Sequence, residues 1–318
     1  MHLTFLETLI FLLSYCMAEE SACPEEDPEY PFSDDYIDCV NNITKTWQAG
    51  RNWPENTTRK VVELMYPPVS KQPVVRMYKK NLKKSSVTKN FPRSFDAREK
   101  WPRCESIKKI RTQGSYDCSA GWAVTAAATL TDRTCTTTNG RVKFEFSADD
   151  ILTCCKTCFR GDNGCGGGDT FKAWQFWVKS GFVSGGEFGT GKLPFQGCKP
   201  YSETFMVKKR KTKCEHVCTN GKYRVSYEQD KHFGKSAYML SQDVKQIQDE
   251  IMTNGPVQAS FKVYQDFYIY SDGVYRHIVG NFSGYHSLKL IGWGVENRTP
   301  YWLAANVWGR GFGSKSGF

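Results

Sequence analysis

After its first 18 residues, the sequence has no apolar stretch long enough to span a bilayer, which argues against a membrane-spanning protein. The first 18 residues are apolar, but they are too short and too interrupted for a span and contain no lysine or arginine. Cys16 and Ala18 have the small side chains that signal peptidase accepts. We therefore expect a signal peptide over residues 1–18, and the alternative is a buried N-terminal helix.

The sequence also lacks the features of a nucleic-acid-binding protein. Its formal net charge is +10, and the densest basic run lies at residues 208–213. No aromatic residues interleave with this run, and no nucleic-acid-binding motif accompanies it. We interpret the run as a solvated loop and expect no nucleic-acid partner, with heparin or another anionic surface as the alternative ligand.

Cysteine, in contrast, is abundant. There are thirteen cysteines, and ten of them follow Phe91. Dense cysteine behind a signal peptide indicates disulfides, because the secretory pathway is oxidising. The spacings of Cys155 with Cys158 and of Cys214 with Cys218 would also suit zinc. Because an even set of ten cysteines needs no metal to explain it, we expect neither a metal nor another cofactor.

Sequons for N-glycosylation agree with a secretory route. They occur at Asn42, Asn56 and Asn281, where we expect glycans, and at Asn297, where the nearby Pro300 makes modification doubtful. We expect the protein to be secreted or lysosomal.

The pattern after residue 90 is that of a folded domain that follows a linker. Residues 67–90 are rich in proline, lysine and serine and are typical of an exposed linker, and a compact domain begins near Phe91. Periodicity and capping residues predict four helices. They begin at about Trp122, after Ser147 as N-cap, after Asp169 as N-cap with Gly181 as C-cap, and after Ser241 as N-cap with Gly255 as the stop.

Strand patterns dominate the rest of the chain. Residues 257–263 alternate between apolar and polar side chains, and the strings SLKLIGW and TPYWLAANVW follow. A helical first half and a β second half predict an α+β fold with two subdomains. Such a fold places a site in the cleft between the subdomains.

Several strings of the sequence together resemble the papain-type cysteine peptidase family, in its cathepsin B-like branch. The resemblance covers nearly all of residues 35–318. The strings that carry it are TWQAG, FPRSFDAREKWPRC, RTQGSYDCSAGWAVTAAATLTDRTC, GCGGGDTFKAWQFW, HSLKLIGWGVEN and TPYWLAANVWG. The resemblance implies a papain-like fold with a helical left subdomain, a β-barrel-like right subdomain and a cleft between them.

The same resemblance implies a domain organisation. Residues 1–18 would be the signal peptide, residues 19–90 a cathepsin B-like propeptide and residues 91–318 the peptidase domain. The sequence stops at Phe318, within the motif that precedes the last strand of the family. We therefore expect a C-terminally truncated domain without that strand and tail.

Family resemblance also assigns catalytic roles. Gln113 matches the oxyanion glutamine, His286 the catalytic histidine and Asn306 the asparagine that orients it, while Trp308 matches the tryptophan that shields the pair. The nucleophile position, directly before the tryptophan of the motif, is occupied by Gly121. Glycine has no nucleophile.

The segment between Gln113 and Trp122 is two residues longer than in the family. We expect this expansion to displace Gln113 from the oxyanion position. A tyrosine, Tyr285, stands before the histidine where the family usually has glycine, and we expect it to crowd the cleft.

Further residues are assigned by the same resemblance. Gly167 and Gly168 match the glycines that line the substrate backbone, whereas Gly166 stands where the family has asparagine. The implied disulfides leave no free thiol after residue 90. They are Cys104–Cys135, Cys118–Cys165, Cys154–Cys214, Cys155–Cys158 and Cys198–Cys218.

Three functional interpretations follow. The first is a pseudopeptidase that keeps a peptide-binding cleft, with peptide or protein substrates, peptidase inhibitors or its own propeptide as partners, and that is a monomer. The second is an active cysteine-type endopeptidase that uses Ser119 or Cys118. The third is a decayed, non-functional product. Fold alone does not grant activity, so whether the chain is an enzyme depends on the nucleophile.

Overall fold

The structure of the protein is a computed structural model. It describes residue 23 and residues 32–55, 57–66, 90–114, 118–159, 164–187, 196–202 and 213–313. Several predictions therefore fall outside the described residues. These are the signal peptide, the glycan at Asn56, most of the linker 67–90 and most of the basic run 208–213.

The described chain combines helices with antiparallel strands. The α-helices are α1 Asp34–Ile43, α2 Arg59–Glu63, α3 Ala97–Lys100, α4 Gly121–Thr137, α5 Ala148–Cys154, α6 Thr170–Ser180 and α7 Val244–Asn254. The strands are β1 Trp47–Ala49, β2 Phe95–Asp96, β3 Val257–Tyr264, β4 Tyr270–Gly273, β5 Phe282–Glu296 and β6 Thr299–Ala305. Short 3₁₀ helices lie at Glu105–Lys108, Gly164–Gly166 and Gln265–Ile269.

Helix α4 is the centre of the helical subdomain. Its small side chains allow close packing, and almost every residue from Gly121 to Asp132 is buried. Trp122 fixes the start of the helix, because its Nε1 donates to the carbonyl of Gly164 at 2.9 Å. Helices α5 and α6 pack beside it in the same apolar cluster.

The helix starts follow their capping residues. Ser147 Oγ accepts from the N–H of Asp150 at 3.0 Å, and Asp169 caps α6 as the sequence predicts. The prediction for Ser241 is wrong, since the N-cap of α7 is Asp243. Ser241 instead donates its hydroxyl to Gln246 Oε1 at 2.8 Å, and the Asp243 carboxylate accepts from the N–H of Gln246 at 3.1 Å.

The β subdomain is an open antiparallel sheet in the described part of the chain, not a closed barrel. Strand β5 lies at its centre and pairs with β2, β3 and β6. Its fifteen residues carry the string HSLKLIGWG. Thr125 on α4 donates to the carbonyl of Ser287 on β5 at 3.0 Å, so the sheet is fixed against the central helix.

A buried ion pair also joins the two subdomains. Lys289 on β5 donates from Nζ to Asp132 Oδ2 on α4 at 2.5 Å, and both side chains are almost fully buried. Burial lowers the pKa of Lys289, and the charge of Asp132 offsets part of that shift.

The N-terminal segment, residues 32–66, packs against the β subdomain. Strand β1 pairs with β4, and the Trp47 indole donates to the carbonyl of Arg276 at 2.9 Å. Trp53 packs against Trp308 with ring centroids 5.6 Å apart. The aromatic cluster that results makes this segment part of one folded unit with the later chain.

Six disulfides are present among the described cysteines. Five are the pairs that the family resemblance implies, and the sixth joins Cys23 to Cys39 within the N-terminal segment. The cysteines considered for zinc are therefore joined in disulfides. Within the described ranges, no helix combines the length and apolar character that a bilayer span requires.

Candidate active site

Gly121 is the first residue of α4 and faces the β subdomain. A Cβ atom built on Gly121 would lie 2.8 Å from Gln113 Oε1 and 2.8 Å from His286 Cε1, with His286 Nδ1 at 3.1 Å. The three residues that the sequence assigns to one site are therefore brought together. Because glycine has no Cβ atom, the side chains of Gln113 and His286 lie closer to this position than the 3.4–4 Å of an ordinary van der Waals contact with a Cβ atom.

His286 is held in one orientation from its far side. Its Nε2 lies 2.8 Å from Asn306 Oδ1, which also accepts from the N–H of Val307 at 2.7 Å. An amide oxygen only accepts, so Nε2 carries the hydrogen and donates it. In the neutral ring Nδ1 is then a free acceptor, and it lies on the edge that faces Gly121.

The environment of His286 is apolar. The side chain is buried, and the Trp308 ring lies 4.5 Å from the imidazole. Burial lowers the pKa of His286 to about 4, and the hydrogen bond to Asn306 offsets only part of that effect. At neutral pH the imidazole is therefore uncharged.

Gln113 remains beside Gly121 despite the longer segment between Gln113 and Trp122. Its backbone N–H donates to the carbonyl of Val307 at 2.7 Å, and its own carbonyl accepts from Tyr201 Oη at 2.8 Å. The Gln113 side chain thus lies beside Gly121, and its displacement from the oxyanion stays a prediction. These two backbone contacts hold Gln113 from both sides.

The alternative nucleophiles, Cys118 and Ser119, have other partners. Cys118 is bonded to Cys165. Ser119 Oγ donates to the carbonyl of Leu64 at 2.9 Å, and its N–H donates to the carbonyl of Cys165 at 2.9 Å. In the described part of the chain, the side-chain hydrogen bond of His286 goes to Asn306 and to neither alternative.

The glycines assigned to substrate binding have structural roles. Gly167 adopts φ +92°, in the region that favours glycine. A Cβ on Gly168 would lie 2.4 Å from Trp122 Cε2, so only glycine lets this loop rest on the indole. Gly166, in contrast, has open space around its Cβ position.

The cleft is occupied by the N-terminal segment of the same chain. Gln113 Nε2 donates to the carbonyl of Met65 at 2.8 Å and to that of Cys118 at 3.2 Å. Tyr66 is buried, and its hydroxyl contacts the hydroxyl of Tyr268. No sequence pattern marks Met65, Tyr66 or Tyr268 as a contact residue. The Met65 contact uses a backbone carbonyl, which carries no residue signature.

The expected glycosylation sites lie on the surface. Asn42, in the last turn of α1, and Asn281, directly before β5, are both exposed. Both asparagine side chains are therefore accessible for attachment of a glycan.

A cleft between a helical half and a sheet, filled by an earlier segment of the same chain, is the arrangement of a peptidase proform. The structure is similar to proCathepsin B S9 from Trypanosoma congolense, with a TM-score of 0.70 and 31% sequence identity, over 90% of this chain and 91% of that chain. It shares its fold with digestive procathepsin L2 proteinase from the larval midgut of Tenebrio molitor, with a TM-score of 0.62 and 18% identity, over 97% and 92% of the two chains.

Sequence comparison gives the same class. Residues 91–318 match the family described as Papain family cysteine protease, and the chain belongs to that family. Cathepsin B-like cysteine proteinase 5 of Caenorhabditis elegans is 42% identical over 89% of this chain and 83% of its own length. Cathepsin B-like cysteine proteinase of Schistosoma japonicum is 38% identical over 91% and 85%. The chain is thus a cathepsin B-like homologue of the papain family.

Proposed function

We propose that this cathepsin B-like homologue is a pseudopeptidase, which keeps a peptide-binding cleft but does not cleave peptides. The observation that carries the proposal is Gly121 at the start of α4, with His286 and Gln113 lying where they would flank a cysteine side chain. The family reaction needs a thiolate at a helix start beside an imidazole. Here the imidazole is present and the thiol is absent.

The neighbourhood supports the same conclusion. The Cβ position at Gly121 is so close to Gln113 and His286 that a larger side chain requires one of them to move. Cys118 is held in a disulfide, and the Ser119 hydroxyl donates towards Leu64. A displacement of about 1 Å can cost about 10²-fold in rate, so neither is a ready substitute.

We further propose that residues 19–90 are a propeptide and residues 91–318 the peptidase-like domain. The proform arrangement supports this division, because residues 64–66 lie in the cleft. The ligands of the freed cleft would be peptides, protein segments or peptidase inhibitors that present backbone carbonyls to Gln113. We also propose a secretory or lysosomal location, because the chain has disulfides and exposed sequons. We propose glycosylation at Asn42 and Asn281 because both side chains are exposed.

The test uses a chain with a cleavage site for a sequence-specific serine peptidase inserted in the linker between Lys80 and Asn81. After cleavage and removal of the propeptide, a fluorogenic dipeptide amide is supplied as substrate. We expect no turnover above that of the matched His286→Ala variant. Turnover that disappears in His286→Ala would show that another nucleophile operates with this imidazole, and the proposal would then be wrong.

A further inference from the structure

The end of helix α2 lies inside the cleft and presents its carbonyls to the cleft floor. The last carbonyls of any helix have no partner within the helix. Leu64 is the C-cap of α2 with helical backbone angles, and Met65 follows it in a turn closed by its N–H to the carbonyl of Val62. The carbonyls of Leu64 and Met65 therefore need donors from elsewhere.

Two side chains of the cleft supply those donors. Ser119 Oγ donates to the carbonyl of Leu64 at 2.9 Å, and Gln113 Nε2 donates to that of Met65 at 2.8 Å. Gln113 is fully buried and Ser119 is only 7% exposed, whereas Leu64 is 42% exposed. The hydrogen bond of Gln113 to Met65 is therefore buried, and that of Ser119 to Leu64 is partly buried. Such bonds are costly to leave unmade.

Ser119 is also fixed in place. Its N–H donates to the carbonyl of Cys165, and the preceding Cys118 is bonded to the same Cys165. A hydroxyl on so constrained a backbone loses little freedom when it binds a carbonyl.

We propose that Ser119 is a latch for the propeptide: its hydroxyl, together with Gln113, caps the end of α2 and determines how readily residues 59–66 leave the cleft. The segment that occupies the cleft is the end of helix α2 of the same chain. The inference rests on the proposed function, because a serine that holds the propeptide in a cleft without a nucleophile has a binding role and no catalytic one.

The rival role for Ser119 is that of a nucleophile. That role requires its proton to be directed to His286, whereas the hydroxyl donates to Leu64. The latch therefore accounts for the orientation of the hydroxyl, and the nucleophile does not.

The experiment is amide hydrogen exchange on the intact chain at pH 7, in wild type and in Ser119→Ala. We expect the amides of Leu64 and Met65 to exchange about fivefold to tenfold faster in the variant, the effect of losing one partly buried hydrogen bond. Amides of α4 and β5 should be unchanged. Ser119→Thr keeps the hydroxyl and should retain most of the protection.

A matched control is Thr253→Ala, which removes an exposed hydroxyl that donates to Asp249 Oδ1 at 3.3 Å within helix α7. It should leave Leu64 and Met65 unaffected. Unchanged exchange in Ser119→Ala, equal acceleration in Ser119→Thr, or acceleration throughout the chain would each overturn the latch. So would failure of Ser119→Ala to fold, because the hydroxyl would then serve the whole fold.

The outcome is separate from that of the proposed function. A serine-directed fluorophosphonate added to the propeptide-free chain would label Ser119 only if it is a nucleophile. Labelling would refute the pseudopeptidase while leaving the exchange result to be judged by itself. Faster exchange without labelling is the result that we expect.

Discussion

The close approach of Gln113 and His286 to Gly121 predicts that a single methyl group at this position destabilises the protein. Gly121→Ala adds one Cβ atom, which meets Gln113 Oε1 and His286 Cε1 at 2.8 Å and His286 Nδ1 at 3.1 Å. The amide of Gln113 can move away only by weakening its hydrogen bonds to the carbonyls of Met65 and Cys118. The imidazole cannot move freely, because Asn306 holds it at 2.8 Å and Trp308 packs at 4.5 Å.

The expected magnitude follows from these contacts. Overpacking in a tightly packed interior costs about 1–3 kcal/mol. Alanine is the better helix former by up to about 1 kcal/mol, and this gain is smaller at the first helical position than in the interior. We therefore expect Gly121→Ala to lower the free energy of unfolding by about 1–2 kcal/mol.

The assay is urea unfolding of the intact chain, monitored by tryptophan fluorescence. Gly221→Ala is the matched control, because a Cβ at Gly221 has no atom within 4 Å and should change the midpoint little. If Gly121→Ala is as stable as wild type or more so, the space at Gly121 is open, and the reasoning about a closed nucleophile position is refuted.

Three further predictions concern stability. Lys289→Met should lower the free energy of unfolding in urea by about 3–5 kcal/mol, because it leaves the buried carboxylate of Asp132 unpaired. Adding Asp132→Leu should restore most of that loss, and a double variant whose loss equals the sum of the two single losses would count against the pair. The pKa of His286 is about 4 in the folded state and 6.5 in the unfolded state, so the unfolded state binds the proton first as the pH falls. The contribution of this group to stability is therefore complete above pH 6.5 and is lost as the pH falls through about 4. An NMR titration that finds His286 protonated at pH 6 would contradict this. Gly168→Ala should lower the unfolding midpoint by an amount equivalent to about 1–3 kcal/mol, since its Cβ would overlap the Trp122 indole, and an unchanged midpoint would show that the loop can move away.

Much of the fold is predictable from local sequence patterns. Alanine density indicates the buried helix α4, and the acceptor side chains of Ser147 and Asp169 cap their helices as expected. Alternation of apolar residues indicates β3. These features depend on neighbours a few residues apart, which the sequence displays directly.

The remaining features depend on contacts between distant residues. The capping of the Leu64 carbonyl by Ser119 spans 55 residues and uses a backbone acceptor, so no residue type marks it. The position of Gln113 beside Gly121 depends on the carbonyl of Val307 and the hydroxyl of Tyr201. Neither residue lies in the segment from Gln113 to Trp122, so the length of that segment does not predict this position. The disulfide of Cys23 with Cys39 was equally open, because cysteine spacing does not determine pairing.

The central claim is that the cleft contains no thiol nucleophile, and the most direct test is the mass of the propeptide-free chain after treatment with a thiol-directed epoxide titrant. We predict no added mass in wild type. Gly121→Cys, which restores a thiol at the helix start beside His286, should gain the mass of one titrant. A single titrant on the wild-type chain, mapped to residues 118–121, would contradict the account, because one of those residues would then supply the nucleophile that Gly121 lacks.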